Sequence, residues 1–449
     1  MTLRVHPDDI VRESLSLLLS KHPNWERIRL GAVAEILNGF AFKSDQFNSR
    51  GEGMPLIRIR DVGRSSTHTW YSGEFDKHYV VHAGDLLVGM DGEFRSARWP
   101  GPPALLNQRV CRITVNRTDI FSGRFLAFVL PGYLQEIQRR TSSLTVRHLS
   151  SRTLAEIPLP LPPRVEQERI VAAIEEQFSR LDTAEMLLQG ARRRVDRMRA
   201  SALAAVTPAD CKWKTLGEIA EIVGGVTKDS KRQSDPSFVE MPYLRVANVQ
   251  RGYLDLREVT TIRVPPEKAK ALRLEPGDIL FNEGGDRDKL GRGWIWQGEI
   301  DDCIHQNHVF RARLLTEAAD PKFISLHGNT FGQQWFEKMG KQTTNLASIN
   351  LKTLKSFPVP DLPVEEQHRI VAEVERRLTI LESLSAAIDH ALRRSGQLRR
   401  AILERAFTGK LVPQDPSDEL AGILIERIVA KRRIESPRRR QSTRKTLSR

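Results

Sequence analysis

The sequence predicts an α+β protein in which two homologous α+β domains are separated by two long helices that pair antiparallel as a coiled coil. One observation is a duplication, since EQERIVAAIEEQF begins at Glu166 and EQHRIVAEVERRL begins at Glu366, 200 residues later. A second is that each copy opens a proline-free stretch in which apolar residues recur every three or four positions. A third is that short strand-like runs between Gly, Pro and Asp turn signals precede each copy.

The duplication sets the expected domain organisation. LGAVAEI (30–36) matches LGEIAEI (216–222), and NQRV (107–110) matches QNHV (306–309), while the offset grows only between such blocks, as it does after loop insertions. The repeat is far longer than the roughly 20–50 residues of a solenoid unit. We therefore expect an N-terminal helical extension at 1–22, α+β domains at 23–163 and 208–363, long helices at 164–207 and 364–410, and a C-terminal segment with a basic tail at 411–449.

The two proline-free stretches each carry one stripe of apolar or small side chains. The first stripe runs through residues 170, 174, 178, 181, 184, 188, 191, 195, 198 and 202, and the second repeats it 200 residues later with Ser395 as the one polar exception. A stripe sustained over about 40 residues requires a partner helix, and the rod would be roughly 60 Å long. The simplest partner is the duplicate, packed antiparallel with one domain at each end, which gives a dumbbell with pseudo-twofold symmetry.

The composition argues against a membrane protein and against a disulfide-rich one. Of the 449 residues 40% are hydrophobic, yet no run approaches the roughly 18 apolar residues of a membrane span, and the N-terminus lacks the pattern of a signal peptide. The three cysteines are isolated, which indicates neither a disulfide framework nor a zinc site. We expect a cytoplasmic protein.

The charge is basic but unevenly distributed. The formal net charge is +14, and the segment 431–449 alone holds nine Lys or Arg residues and one Glu. This segment is poor in apolar residues, so we expect a disordered tail that improves solubility or binds nucleic acid without sequence preference. The rest of the chain is mildly basic, which is compatible with DNA binding but does not require it.

No catalytic or metal site is predicted. The sequence contains neither the GxxxxGK[ST] phosphate loop nor the GxGxxG fingerprint, and the glycine-rich segment EGGDRDKLGRG (283–293) fits neither spacing. His305 and His308 lie in a strand-like run rather than on a helix with a glutamate. The acidic residues near the second long helix lie in its proline hinge and first turn, where they favour the helix dipole. We expect no catalytic residue, metal or cofactor in this chain.

Basic and amide side chains between turns form a candidate DNA-binding set. In the major groove, Arg or Lys reads guanine, and Asn or Gln reads adenine. A turn cap or a surface charge is the simpler interpretation of any single member, so the prediction rests on the set. The set comprises Lys43, Arg58, Arg60, Arg95, Arg98, Asn107, Gln108 and Arg109 in the first domain, and Lys228, Arg245, Arg287, Lys289, Arg292 and Asn307 in the second.

A second basic cluster recurs on the long helices. Its members match at an offset of 200 and are Arg193, Arg194 and Arg199 in the first helix and Arg393, Arg394 and Arg399 in the second. A solvated helix face and a surface that contacts phosphate or a partner protein both fit this pattern, and the sequence leaves the two alternatives open.

Two variable α+β domains, each closed by a proline-rich turn and an EQ-RIV helix, resemble the specificity subunit of type I restriction-modification systems. LRRAILERAFTGKLVPQDPSDE (398–419) is similar to the distal conserved segment of that family, and PNWERIRLGAVAEILNG (23–39) and WKTLGEIAEIVGG (213–225) resemble its domain starts. MDGEF…LNQRVCRI and EGGDRDKLGRGWIW…CIHQNHVFRAR resemble motifs inside its target-recognition domains. The resemblance covers nearly the whole chain.

The resemblance implies a subunit that binds double-stranded DNA and has no activity of its own. Each target-recognition domain would read one half of a split, asymmetric sequence, with the helical pair as a ruler for the spacer. Two modification (methyltransferase) subunits would dock on the helices, and two restriction (translocase) subunits would join the full complex, so S-adenosylmethionine, ATP and Mg belong to those partners. The partner-binding residues implied at the helix starts are Glu166, Gln167, Arg169, Ile170, Glu366, Gln367, Arg369 and Ile370. The resemblance also implies that 8–21 packs near 418–433.

A protein of another class remains as the alternative. A coiled-coil scaffold could bridge two protein partners, with the α+β domains binding peptides. Binding that is dominated by phosphate contacts weakens steeply with salt, so a salt titration separates the two functions. A self-contained nuclease is disfavoured because the sequence lacks the acidic metal ligands that it would need.

Overall fold

The computed structural model describes residues 6–141, 148–229, 233–285, 289–342, 347–419, 422–423 and 425–426. The chain divides into two units, one made of Met1–Met186 with Leu392–Arg449 and the other of Leu187–Ala391. Arg287 and the predicted tail at 431–449 lie outside the described residues. Each unit holds one α+β domain together with parts of both long helices.

The domain of the first unit alternates short strands with short helices. Its helices are α1 (Pro7–Glu13), α2 (Leu30–Val33), α3 (Gly123–Arg140) and α4 (Ser151–Ala155). Its strands are β1 (Glu26–Arg29), β2 (Ala34–Asn38), β3 (Phe47–Asn48), β4 (Met54–Ile57), β5 (Trp70–Tyr71), β6 (Val80–Val81), β7 (Leu86–Gly89), β8 (Ser96–Arg98), β9 (Ala104–Leu106), β10 (Val110–Val115) and β11 (Pro158–Leu161).

These strands form three sheets. The first is an antiparallel sheet in the order β2–β10–β7–β8, and the second has the order β3–β5–β4–β9–β6, in which β4 and β9 run parallel. The third pairs β1 with β11, so that Arg29 lies opposite Pro158. The prolines of β11 are tolerated because a two-stranded ladder has free edges on which a missing N–H leaves no partner unpaired. This third ladder joins the start of the domain to the residues just before the first long helix.

The core of this domain forms around α3. The helix buries Phe125, Val129, Tyr133 and Ile137, which are spaced four apart on one face. The guanidinium of Arg27 donates to the hydroxyl oxygen of Tyr133 (2.7 Å), and burial raises the pKa of Tyr133 to about 12. The buried hydroxyl therefore keeps its proton and serves as a hydrogen-bonding link between α3 and β1.

Both chain ends contribute to the same core. Apolar side chains from the N-terminal extension and from the segment after the second long helix pack in it, among them Ile10, Leu18, Leu19, Leu411 and Val412. A Cβ atom on Gly409 would lie 2.7 Å from the Cβ of His22, so the two segments touch closely at this glycine. The first unit is therefore closed by residues from opposite ends of the sequence.

The first long helix, α5 (Arg164–Ala204), leads into the domain of the second unit. The helices that follow are α6 (Leu216–Ile219), α7 (Pro266–Leu272), α8 (Pro321–Asn329), α9 (Phe331–Met339), α10 (Leu351–Lys355) and the second long helix, α11 (Val364–Phe407). The strands are β12 (Lys212–Thr215), β13 (Ala220–Gly224), β14 (Val239–Leu244), β15 (Val249–Gln250), β16 (Tyr253–Leu254), β17 (Thr260–Val264), β18 (Ile279–Asn282), β19 (Gly284–Gly285), β20 (Gly293–Ile295), β21 (Ile304–His305), β22 (Val309–Leu314), β23 (Lys341–Gln342), β24 (Ala347–Ser348) and β25 (Pro358–Asp361).

The strand order of the second unit repeats that of the first. The sheet β13–β22–β18–β20 corresponds to β2–β10–β7–β8, the parallel pair β14 and β21 corresponds to β4 and β9, and the ladder of β12 with β25 corresponds to β1 with β11. Smaller ladders add β17 to β14, pair β15 with β16, and order β19–β24–β23. Two homologous α+β domains are thus confirmed by topology as well as by sequence.

His327 fixes the chain after α5 to the core of the second unit. Its ring is fully buried and stacks on Phe331 at 5.0 Å between ring centroids. Nδ1 accepts a hydrogen bond from the hydroxyl of Thr207 (2.8 Å), and Nε2 donates to the carbonyl oxygen of Pro358 (2.9 Å). Burial lowers the pKa of His327 to about 4, so the imidazole is neutral near pH 7 and holds this tautomer.

In the first unit, the start of α5 packs antiparallel against the end of α11. The hydroxyl of Ser395 donates to Glu185 (2.5 Å) and the guanidinium of Arg399 donates to Asp182 (2.6 Å), so residue numbers rise along one helix as they fall along the other. Arg399 also lies 5.1 Å above the centre of the Phe178 ring. Ser395 is the polar exception in the apolar stripe. Its buried hydroxyl supplies the hydrogen-bond donor for the carboxylate of Glu185.

In the second unit, the end of α5 packs against the start of α11. Arg192 Nη1 donates to Asp389 Oδ1 (2.9 Å), and Arg199 Nη2 lies 3.5 Å from Glu382 Oε1, again with opposite chain directions. Buried apolar side chains of the predicted stripe in this unit include Val195, Leu381 and Ile388. The predicted antiparallel pairing is therefore confirmed within each unit.

Candidate nucleic-acid interface

A single turn recurs in both domains and carries the predicted amide residues. We call it the amide turn, and it comprises residues 107–109 in the first unit and 306–308 in the second. In the first unit Gln108 N donates to Phe40 O (2.8 Å), and Phe40 N donates to Leu106 O (2.9 Å). In the second unit the same two bonds run from Asn307 N to Val226 O (2.9 Å) and from Val226 N to His305 O (2.8 Å).

A glycine lies under each amide turn. A Cβ atom on Gly39 would lie 2.0 Å from Asn107 O, and one on Gly225 would lie 2.0 Å from His305 O. No side chain fits such a gap, so the strand that supports the turn must carry glycine at this position. The backbone contact that builds the turn therefore explains the glycine that both domain starts share.

The amide turn of the first unit presents two exposed polar side chains. Gln108 and Arg109 are exposed, whereas Asn107 is buried, and its Oδ1 has no hydrogen-bond partner among the described residues. Arg109 has φ +75°, a left-handed conformation that non-glycine residues rarely adopt. Backbone strain of this kind concentrates at functional sites.

The corresponding turn of the second unit presents a histidine. His308 is exposed and Asn307 is half-buried, with their Nε2 and Nδ2 atoms 3.4 Å apart. His305, which precedes the turn, is fully buried, and burial lowers its pKa to about 4. His305 is therefore a neutral core residue, while His308 occupies the place of Arg109.

Two carboxylates outside the predicted set lie against these turns. Asp91 Oδ2 is 2.9 Å from Arg109 Nη1, and Asp91 Oδ1 is 2.6 Å from His148 Nδ1. Glu283 Oε2 is 2.5 Å from His308 Nδ1. Both acids follow the matched segments GDLL and GDIL at the end of β7 and β18, which is the sequence signal that could have indicated them.

Arg58 and Arg245 lie next to the amide turns. Asn107 N donates to Ile57 O (3.3 Å) and Gln306 N donates to Leu244 O (2.9 Å), and each predicted arginine directly follows the accepting residue. Both arginines also start the same local motif, in which their backbone N–H donates to the side chain three residues ahead at 2.9 Å. The structure thus brings Arg58 together with 107–109, and Arg245 together with 306–308.

The other predicted DNA-binding residues are not joined to the amide turn by a hydrogen bond that the structure describes. Lys43 and Lys228 are exposed shortly after the strands that support the two turns. Arg60 donates to Thr69 (3.1 Å), and Arg95 is paired with Glu93. The remaining members stand on or beside the matched strands β8 and β20 and are exposed or half-buried, namely Arg98, Lys289 and Arg292.

The residues predicted to bind a partner at the helix starts are largely used inside the chain. In the first unit Glu166 is buried, accepts from the indole of Trp25 (3.0 Å) and hydrogen-bonds Gln414, and its burial raises the pKa of the carboxyl. Arg169 pairs with Asp418 (2.5 Å), and Ile170 is in the core. These contacts give the residues an internal role, and partner binding stays a prediction.

The second helix start is more open. Ile370 packs on the core of the second unit, whereas Arg369 is exposed and Glu366 is half-buried. The two glutamines have matching roles, since Gln167 bonds Ser122 N (2.7 Å) and Gln367 bonds Asp320 N (2.9 Å). Each glutamine therefore fastens its long helix to the domain of its own unit.

The arginines of the second basic cluster divide into two groups. Arg199 and Arg399 bond acidic residues of the opposite helix, as described above. Arg193 and Arg194 in the second unit, and Arg393 and Arg394 in the first, are exposed and have no described ion-pair partner. Within this cluster, and among the described residues, the second group is the one without an ion pair to the opposite helix.

Metal-binding clusters and membrane-spanning helices are both absent from the described residues. Across the described part of the chain, no group of three or more His, Cys, Asp or Glu side chains is arranged to hold a metal ion. Within the same residues, no helix has both the length and the apolar character needed to cross a bilayer.

Comparisons with known proteins point to one family. The family model described as "Type I restriction modification DNA specificity domain" matches residues 23–188 and 208–389. The chain is 34% identical over 459 residues to the type I restriction enzyme EcoBI specificity subunit of Escherichia coli, covering 94% of this chain and 96% of that protein.

Solved structures with the same fold include the HsdS subunit from Thermoanaerobacter tengcongensis, with a TM-score of 0.53 at 19% identity, covering 86% of this chain and 97% of that one. A chain solved in work on the "complex assembly" and "conformational transition of the type I R-M system" has a TM-score of 0.61 at 18% identity, covering 87% of this chain and 99% of that one. At these identities the likeness concerns the fold.

Proposed function

The chain belongs to the family of type I restriction-modification DNA specificity subunits, and on this premise we propose that it reads a split double-stranded DNA sequence, one half with each α+β domain. The single observation that carries the proposal is the amide turn. Two domains of diverged sequence keep the same backbone bonds, and each presents an amide next to a cationic or imidazole side chain. Arg, Asn and Gln are the side chains that distinguish bases in the major groove.

We assign the first half-site to residues 23–163 and the second to residues 208–363. Within each domain, the amide turn and the neighbouring Arg58 or Arg245 form the centre of the surface, and the other basic residues flank it. Contacts to phosphate position such a protein, whereas contacts to base edges give specificity. Gln108, Arg109, Asn307 and His308 are therefore the base readers in this proposal, and Lys43 and Lys228 contact phosphate.

The long helices set the spacing and receive the partners. Two modification subunits dock on them and supply the methyltransferase site with S-adenosylmethionine, and restriction subunits add the ATP- and Mg-dependent activity. Arg193 and Arg194 in the second unit are an exposed basic pair, and Arg393 and Arg394 in the first unit are another. Each pair offers its own surface for an acidic partner face or for spacer phosphates. The chain itself is not catalytic, and the complex works in the cytoplasm.

Reconstitution tests this division of labour. The purified chain alone is expected to transfer no methyl group from S-adenosylmethionine to DNA, and activity is expected to appear when a modification subunit is added. Transfer is measured as incorporation of labelled methyl groups into a mixture of duplexes. Robust methyl transfer by the isolated chain would contradict the proposal.

A further inference from the structure

The two amide turns share a feature beyond their backbone. In each unit a carboxylate contacts the side chain that follows the amide. Asp91 forms an ion pair with Arg109, and Glu283 accepts a hydrogen bond from His308. The two acids do not occupy equivalent positions. The backbone N–H of Met90 donates to Arg109 O, and that of Glu283 donates to His308 O, both at 2.9 Å. Met90, rather than Asp91, therefore corresponds to Glu283. The same contact is therefore reached from two different places in the sequence, which indicates that the contact itself matters.

The carboxylate decides which hydrogen-bonding groups of Arg109 remain available. Nη1 of Arg109 forms an ion pair with Asp91 Oδ2 (2.9 Å), and among the described residues the guanidinium has no other ion pair. The remaining N–H groups of an arginine still form a fork that matches the two acceptors of a guanine, N7 and O6. Asp91 also binds His148 (2.6 Å), so it is itself held in place.

The carboxylate in the second unit decides the tautomer of His308. Because Glu283 accepts from Nδ1, the neutral imidazole carries its proton there, and Nε2 is left as an acceptor. In the free protein the side-chain amide of Asn307 lies 3.4 Å from this atom. An acceptor suits the exocyclic amino group of cytosine or adenine rather than guanine N7 or O6.

We propose that Asp91 and Glu283 are positioning residues that fix which hydrogen-bonding face each amide turn presents to a base edge. Asp91 presents the donors of Arg109 to a guanine, and Glu283 presents Nε2 of His308 to the amino group of cytosine or adenine. This inference rests on the proposed function, since it needs the amide turns to face DNA. Neither acid touches a base, and each acts through its neighbour.

The test uses the variants Asp91→Asn and Glu283→Gln in the complex with the modification subunit. Binding is measured at fixed salt against duplexes in which each base pair of both half-sites is changed singly. Asp91→Asn is expected to reduce discrimination at one guanine of the first half-site about ten-fold, and to leave the second half-site unchanged. Glu283→Gln is expected to do the same at one position of the second half-site only.

Further measurements separate positioning from a merely structural role. Affinity for non-specific DNA should stay equal or rise, because each variant removes a negative charge near phosphate. Glu52→Gln, which breaks the exposed pair of Glu52 with Arg50 (3.0 Å), is the matched control and should change no base preference. The conservative variants Asp91→Glu and Glu283→Asp should restore part of the lost discrimination.

Two outcomes would overturn the inference, and they have different consequences. In the first outcome, the unmodified complex discriminates among the duplexes, and both variants either keep the same base preferences or bind all duplexes more weakly by the same factor. The carboxylates are then not positioning residues, and the proposed function stands. If the unmodified complex discriminates among none of the duplexes, the proposed function fails and the inference fails with it.

Discussion

Replacing residues 23–163 with the corresponding domain of another specificity subunit is expected to change one half of the recognised DNA sequence and to leave the other half unchanged. Each unit has its own core, its own sheets and its own amide turn. The original first half-site should lose its advantage over non-specific DNA, which amounts to roughly a thousand-fold or more in affinity. The new site is read from the positions that the reconstituted complex methylates, mapped by sequencing the DNA at single-base resolution.

The reciprocal exchange of residues 208–363 is the matched control. It should change the second half-site alone, and the spacer should keep its length in both exchanges because α5 and α11 are untouched. A change of both half-sites after either exchange would contradict the assignment of one reader to each unit.

Gln167→Ala is expected to lower the free energy of unfolding of the first unit by about 3 kcal/mol, because it leaves several buried groups without a partner. The side chain is fully buried, and its Oε1 accepts from Ser122 N (2.7 Å). Its Nε2 donates to Ile120 O and to Pro162 O, both at 2.9 Å. The glutamine thus joins the proline hinge, the start of α3 and the long helix. Chemical denaturation followed by far-ultraviolet circular dichroism measures the change.

Two further variants make this result specific. Gln367→Ala removes the matching bonds to Asp320 N (2.9 Å) and Leu362 O (2.8 Å), so it should destabilise the second unit to a similar extent. Gln189→Ala removes an exposed glutamine from the same helix as Gln167 and should be nearly neutral. If Gln167→Ala were as harmless as Gln189→Ala, the amide would not be the link between helix and domain.

The duplication made much of the fold predictable. A stripe repeated 200 residues later indicates two helices that pack on each other, and the antiparallel contacts of Ser395 and Arg192 follow from it. The strand-like runs indicated α+β domains. The pairing partner of each strand was not predictable. The parallel pairing of β4 with β9, for example, joins residues about fifty positions apart, and periodicity carries no information on such contacts.

The candidate site was predictable in part. The matched blocks NQRV and QNHV selected the amide turn, which the structure builds with the same backbone bonds in both units. The matched segments GDLL and GDIL mark the neighbourhood of Asp91 and Glu283. The sequence does not show that the fold brings these acids to side chains 18 and 25 positions away. The resemblance predicts Gln167 as a partner contact, and the sequence does not reveal that its amide is buried inside the first unit.

Methylation mapping in the host, with and without this gene, tests DNA specificity most directly. The expected result is one split motif, two short half-sites separated by a spacer of fixed length, that is methylated when the gene is present and unmethylated when it is deleted. A methylation pattern that is unchanged by the deletion, or a lost motif that is continuous rather than split, would contradict the assignment of two DNA-reading domains held by one pair of helices.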